Sequence, residues 1–75
     1  MANINAAKFG ETVKQFRTDL NMTQEELAEH IFTTRSQVSR LENGVHKTGL
    51  DRLVKICNAL HCTPNELLGF DEQQD

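Results

Sequence analysis

Arg35 and Arg40, with Ser36 and Gln37 beside the first, are the side chains best suited to grip another macromolecule. A guanidinium presents a rigid fork of N–H donors. It meets two adjacent acceptors at once, such as O6 and N7 of a guanine or two phosphate oxygens. Ser36 can donate or accept, and the amide of Gln37 can do both. These residues follow Thr34 directly, and Thr34 with Gln37 has the spacing of a capping box, in which two side chains satisfy orphan backbone donors at a helix start. Thr23 and Glu26 share that spacing, so two helices open here, each on a threonine.

Positioning these groups falls to the helices. Leu27, Ala28 and Ile31 give the earlier helix an apolar face, expected from Gln24 to Ile31; Val38 and Leu41 do the same for the next, from Arg35 to Asn43. Two capped helices joined by a tight turn form a helix-turn-helix, whose second helix enters the major groove of DNA. With Val38 and Leu41 inward, a turn of about 100° per residue points Arg35, Ser36, Ser39, Arg40 and Asn43 outward and leaves Gln37 at the margin. Ahead of the pair, Phe9, Val13, Phe16 and Leu20 form the stripe of a first helix from Ala6 to Leu20, with Asn21 as a left-handed stop. Behind it, a fourth helix spans Leu50 to Leu60, capped by Thr48 or Gly49. A fifth opens at Thr63-Pro64-Asn65-Glu66 and ends near Leu68. One all-α domain, a compact five-helix bundle with its core over residues 6–69, is therefore expected, followed by a frayed acidic tail at 71–75.

The chain has 75 residues, room for a single small core. Its net charge of −3 is unevenly spread. From Arg35 to Lys55 five basic residues (Arg35, Arg40, Lys47, Arg52, Lys55) face two acidic ones (Glu42, Asp51), leaving +3 there and −6 elsewhere. A basic stripe on an acidic body binds a phosphate backbone in one orientation and repels it in others. No apolar run is long enough for a membrane span and the start lacks the pattern of a signal peptide, so a cytoplasmic location is expected. Cys57 and Cys62 fall at core positions and read as reduced thiols; a metal site with His61 would lack a fourth ligand. His30, His46 and His61 have no partner in a nucleophilic arrangement, so no enzyme and no cofactor are expected.

From Phe9 to Leu68 the chain resembles the Cro/repressor-type helix-turn-helix family, also called the xenobiotic-response-element (XRE) family. The resemblance rests on Arg17, on Thr23-Gln24-Glu25-Glu26-Leu27-Ala28, on Val38-Ser39-Arg40-Leu41-Glu42-Asn43-Gly44, and on Leu53, Ile56, Cys57, Ala59 and Leu60 in the fourth helix. It implies a lambda-repressor-like domain that binds double-stranded operator DNA as a homodimer on near-palindromic sites and controls transcription in bacteria, phages or plasmids. It further implies phosphate anchoring by Gln24 and a salt bridge between Arg17 and Glu42 that fixes the recognition helix and can aim the guanidinium at a phosphate. Two positions depart from the family pattern. Phe32 occupies the turn and His61 the end of the fourth helix, both usually glycine; the ring of Phe32 either packs or lies exposed as a contact surface.

On this reading Arg35, Ser36, Arg40 and Gln37 contact bases, while Gln24, Thr34, Ser39, Asn43, His46 and Lys47 hold phosphates. Gly10 in the first helix reads as a packing glycine. Leu67, Leu68 and Phe70 are the expected dimer residues, because a five-helix core cannot bury them all; closure of the monomer core is the alternative. Glu25 and Glu29, one turn apart on the second helix, either complement its dipole or touch RNA polymerase. An antitoxin-type protein that docks a protein partner through Phe32 or the tail from Phe70 to Asp75, and autoregulates its own promoter, is the other class of function to be weighed. For a regulator of this size with no evident ligand pocket, control by abundance or by an antagonist protein is expected over control by a small molecule.

Overall fold

The computed structural model describes residues 6–45 and 48–68, and these form five helices: α1 (Ala6–Asp19), α2 (Gln24–His30), α3 (Arg35–Glu42), α4 (Leu50–Leu60) and α5 (Pro64–Leu68). The acidic tail, Phe70, His46 and Lys47 lie outside the described residues. Local chemistry fixes each boundary. At α2 the capping box is complete: Thr23 Oγ1 accepts from Glu26 N at 3.0 Å, and Glu26 Oε1 accepts from Thr23 N at 2.8 Å. At α5 the Thr63–Glu66 box is also reciprocal. The expected box at α3 is half formed. Thr34 Oγ1 accepts from Gln37 N at 3.2 Å, but the Gln37 side chain does not return the bond and stays exposed. Gly49 is the cap residue of α4 and offers no side-chain acceptor.

Left-handed residues stop four of the helices, α2 among them at Phe32. Asn21 (φ 57°), Gly44 (φ 77°) and His61 (φ 56°) follow α1, α3 and α4. After α4, Cys62 N donates to Cys57 O at 3.0 Å, the six-to-one bond of a Schellman ending. Phe32 (φ 60°) takes the same conformation in the α2–α3 turn, where a side chain costs about 1–2 kcal/mol. Its ring is 79% exposed, with the Lys55 ammonium 5.4 Å from the ring centroid. The cation–π contact returns about 0.5–1 kcal/mol at such an exposed site, so the strain is only partly offset.

One core fills the bundle. Phe9, Val13, Leu27, Ala28, Ile31, Val38, Leu41, Ile56, Cys57, Leu60 and Leu67 are buried, with Phe16, Met22, Leu53 and Leu68 packed against them. Leu20, expected on the inward stripe of α1, lies beyond its end and is exposed. The dimer expectation for Leu67 is corrected. Its side chain is 1% exposed within the monomer and closes the core between α5 and its neighbours, so it has no surface to offer a partner.

Gly10 sets how α1 meets α3. A Cβ there would lie 2.4 Å from Leu41 O and 2.5 Å from Glu42 O, both backbone atoms that move only if a helix moves. Gly10→Ala is therefore expected to destabilise the fold by about 1–3 kcal/mol through overpacking, despite the intrinsic helix preference of alanine. Thermal unfolding followed by circular dichroism checks this; a melting temperature equal to or above wild type would refute the close approach.

Candidate nucleic-acid interface

The outward face of α3 follows from what the helix buries. Val38, Leu41 and Glu42 turn inward, leaving Arg35, Ser36, Gln37, Arg40 and Asn43 exposed and Ser39 half-buried. Ser36, Arg40 and Asn43 lie opposite the buried face, and Arg35 and Gln37 flank them at the N-terminal turn. Arg35 and Arg40 are thus both exposed on a helix whose inner side is locked into the core. Thr34, at the cap, is exposed, although its hydroxyl is engaged with Gln37 N.

A buried polar cluster holds α3 in place. Arg17 Nε donates to Glu42 Oε2 at 2.6 Å and Arg17 Nη2 to Glu42 Oε1 at 3.0 Å, a bidentate pair whose side chains are 9% and 2% exposed. Arg17 Nη1 donates to Met22 O at 2.7 Å. With Nε and both terminal nitrogens engaged inside the protein and its side chain 9% exposed, Arg17 is an internal brace. Gln24 Nε2 donates to Glu42 Oε1 at 3.0 Å. Glu42 therefore ties α1, α2 and α3 together. Because an amide nitrogen carries two hydrogens, Gln24 keeps one donor for an anion after serving Glu42. Sequence reasoning had placed Gln24 at the DNA face but had not joined it to Glu42. Nothing local links two residues on different helices.

A second feature escaped sequence reasoning. Thr48, Gly49, Asp51, Arg52 and Lys55 line a shallow cleft of about 280 Å³ at the start of α4, and Thr48 Oγ1 is buried without a hydrogen-bond partner. The only signal in the sequence was the choice between Thr48 and Gly49 as cap. With glycine in that place, no side chain caps the first-turn amides. On α2, Glu25 and Glu29 are both exposed.

The two thiols belong to the core and its edge. Burial pushes the Cys57 thiol above its ordinary value, and burial together with the neighbouring Cys57 raises Cys62 to about 12. Both stay protonated at neutral pH. A thiol raised in the folded state adds stability that is fully present below its unfolded pKa and is lost as pH rises through the folded value. Stability is thus expected to decline between about pH 9 and 12, and less steeply in Cys62→Ser; parallel alkaline unfolding curves for the two proteins would contradict this. Among the described residues no three His, Cys, Asp or Glu side chains gather as a metal site, and no helix is long and apolar enough to cross a membrane.

Known proteins share this fold. The helix-turn-helix family profile matches residues 13–67. Control protein C.BamHI of Bacillus amyloliquefaciens is 38% identical over 71 residues, covering 93% of this chain and 88% of that protein. The chain spans only 32% of the transcriptional activator BcrR of Enterococcus faecalis, at 35% identity over 65 residues. The restriction-modification controller C.AhdI of Aeromonas hydrophila superposes with a TM-score of 0.80 at 33% identity, over 84% of this chain and 91% of that one. The P22 c2 repressor, solved with a synthetic operator, superposes at 0.78 with 25% identity over 84% and 96%. With α3 braced, its arginines outward and the family motif running through both helices, this chain belongs to the XRE-type helix-turn-helix family and is a transcriptional regulator with a DNA-binding fold.

Proposed function

We propose that the chain is a dimeric, sequence-specific regulator that reads a near-palindromic operator through α3. The observation that carries this reading is the placement of Arg35, Ser36 and Arg40 on the exposed side of a helix whose inner side is fixed by Val38, Leu41 and Glu42. Arg35 and Arg40 fork onto guanine edges, Ser36 adapts to either partner, and Gln37, with its side chain left out of the cap, reaches a neighbouring base. Gln24, Thr34, Ser39, Asn43, His46 and Lys47 grip phosphates and set the register, which carries no sequence information. A single helix of this length reads few base pairs, so useful affinity requires two protomers on two half-sites. The likeness to a repressor solved with its operator supports the docking geometry.

Selection from a random duplex pool tests the proposal. A two-fold related consensus is expected, bound with an affinity that falls steeply as salt rises. A pool that shows no enriched sequence would sink it. Glu25 and Glu29 add a further role, since a relative is named as an activator and both carboxylates face solvent beside the reading helix. A reporter with the operator just upstream of a weak promoter tests that role. Wild type should raise transcription, and Glu25→Lys/Glu29→Lys should abolish the rise while still occupying the operator; no rise with wild type would refute it.

A further inference from the structure

Phe32 joins two features that turn residues ordinarily lack. Its backbone is left-handed (φ 60°), at a cost that glycine would avoid and that the Lys55 contact only partly offsets. It is also 79% exposed, so the core gains little from its ring. One exposed apolar residue by itself needs no explanation. This one, however, walls a cleft. His30 at the end of α2 and Lys55, Asn58 and Ala59 on α4 complete the lining around about 240 Å³. That is less than the roughly 300–1,000 Å³ of a pocket that encloses a small molecule, but enough for a side chain of another protein. Among the described residues that line the cleft none is acidic, although the chain carries a net charge of −3.

We infer that the cleft docks a partner protein through a segment that sets an apolar side chain beside Asp or Glu. Charge selects this occupant. Lys55 brings a full positive charge to the rim, His30 and Asn58 each offer an N–H donor, and no described carboxylate in the lining opposes them. The acidic body of the chain repels such a segment elsewhere, and α3 carries the other basic surface but no aromatic residue. Geometry joins the two requirements. The Lys55 ammonium lies 5.4 Å from the Phe32 ring centroid, so a carboxylate paired with Lys55 sets its neighbouring side chain against the ring. The half-buried Ala59 extends the apolar lining. An aromatic ring bordered by polar groups has the chemistry of an anchor residue, the kind that carries much of the energy in protein–protein contacts. The strained backbone at Phe32 then serves binding, since a glycine in that turn would present no ring.

A phage-displayed library of random peptides, panned on the full chain, tests the surface. Enriched peptides are expected to pair Asp or Glu with a large apolar residue. One such peptide, titrated by fluorescence anisotropy, should bind Phe32→Gly and Lys55→Glu each about tenfold more weakly or worse. Phe32→Gly removes a strained side chain, so its melting temperature should equal or exceed that of wild type, and misfolding does not account for the loss. Panned in its own right, Lys55→Glu should enrich basic peptides in place of acidic ones. No enrichment on wild type, an enriched set without acidic residues, or equal affinity for Phe32→Gly would each overturn the inference. Other occupants give results of their own, and each would overturn it too. A wild-type dimer in sedimentation that Phe32→Gly makes monomeric assigns the cleft to a second copy. Markedly weaker DNA binding by Phe32→Gly assigns it to DNA. Peptide binding about tenfold tighter in Phe70→Gly assigns it to the tail of the chain itself.

Discussion

Glu42→Ala is expected to cause the largest loss of stability of any single polar substitution described. The carboxylate accepts from Arg17 Nε, Arg17 Nη2 and Gln24 Nε2, and its side chain is only 2% exposed. Truncation leaves a buried guanidinium with only the Met22 carbonyl, and breaking a buried pair in this way costs about 3–5 kcal/mol. In a domain of this size, 1 kcal/mol moves the melting temperature by about 4–8 °C, so a fall of more than about 12 °C is expected. Operator binding should weaken as well, because α3 loses its ties to α1 and α2. The apolar replacement Arg17→Met/Glu42→Leu should recover much of the loss, since it removes both charges together. A double-mutant cycle reads the coupling directly. Zero coupling between Arg17 and Glu42, or a melting temperature within 2 °C of wild type for Glu42→Ala, would remove the brace from the account (about 2 °C is well under the shift for 1 kcal/mol).

Arg35→Ala/Arg40→Ala is expected to have the largest effect on DNA binding. Each bidentate guanine contact is worth about 1–3 kcal/mol of discrimination, so losing both should weaken the selected operator by at least about thirtyfold. Each single variant should relax preference at one base position per half-site. Both side chains are exposed on α3, so helical content should be unchanged. Lys47→Ala provides the contrast: a lost phosphate contact weakens all sequences alike and flattens the salt dependence. Wild-type affinity and selectivity in the double arginine variant would show that α3 is not the reader.

Much of the fold was legible because helix boundaries are written in local chemistry. Thr23 with Glu26 and Thr63 with Glu66 form their boxes within one turn, Asn21 stops α1 by its own backbone conformation, and apolar spacing picks the inner face of α3 without knowledge of its neighbours. The outward placement of Arg35 and Arg40 follows from that spacing alone.

Only the tertiary structure decided what depends on distance between helices. It joined Gln24 to Glu42 and turned Arg17 into an internal brace. It showed why residue 10 lacks a side chain, since α3 carbonyls occupy that space. It also sent Leu67 inward and left Leu50 and Val54 outside. Periodicity ranks the faces of one helix, but α4 carries more apolar surface than one neighbour covers, and which part stays exposed depends on how α2 and α5 cross it. Phe32 shows the same limit. Its sequence position placed it in the turn, but only the fold showed its ring exposed, with the Lys55 ammonium of another helix beside it. Capping and periodicity act within a few residues along the chain, whereas burial is set by which helices meet, and at what angle.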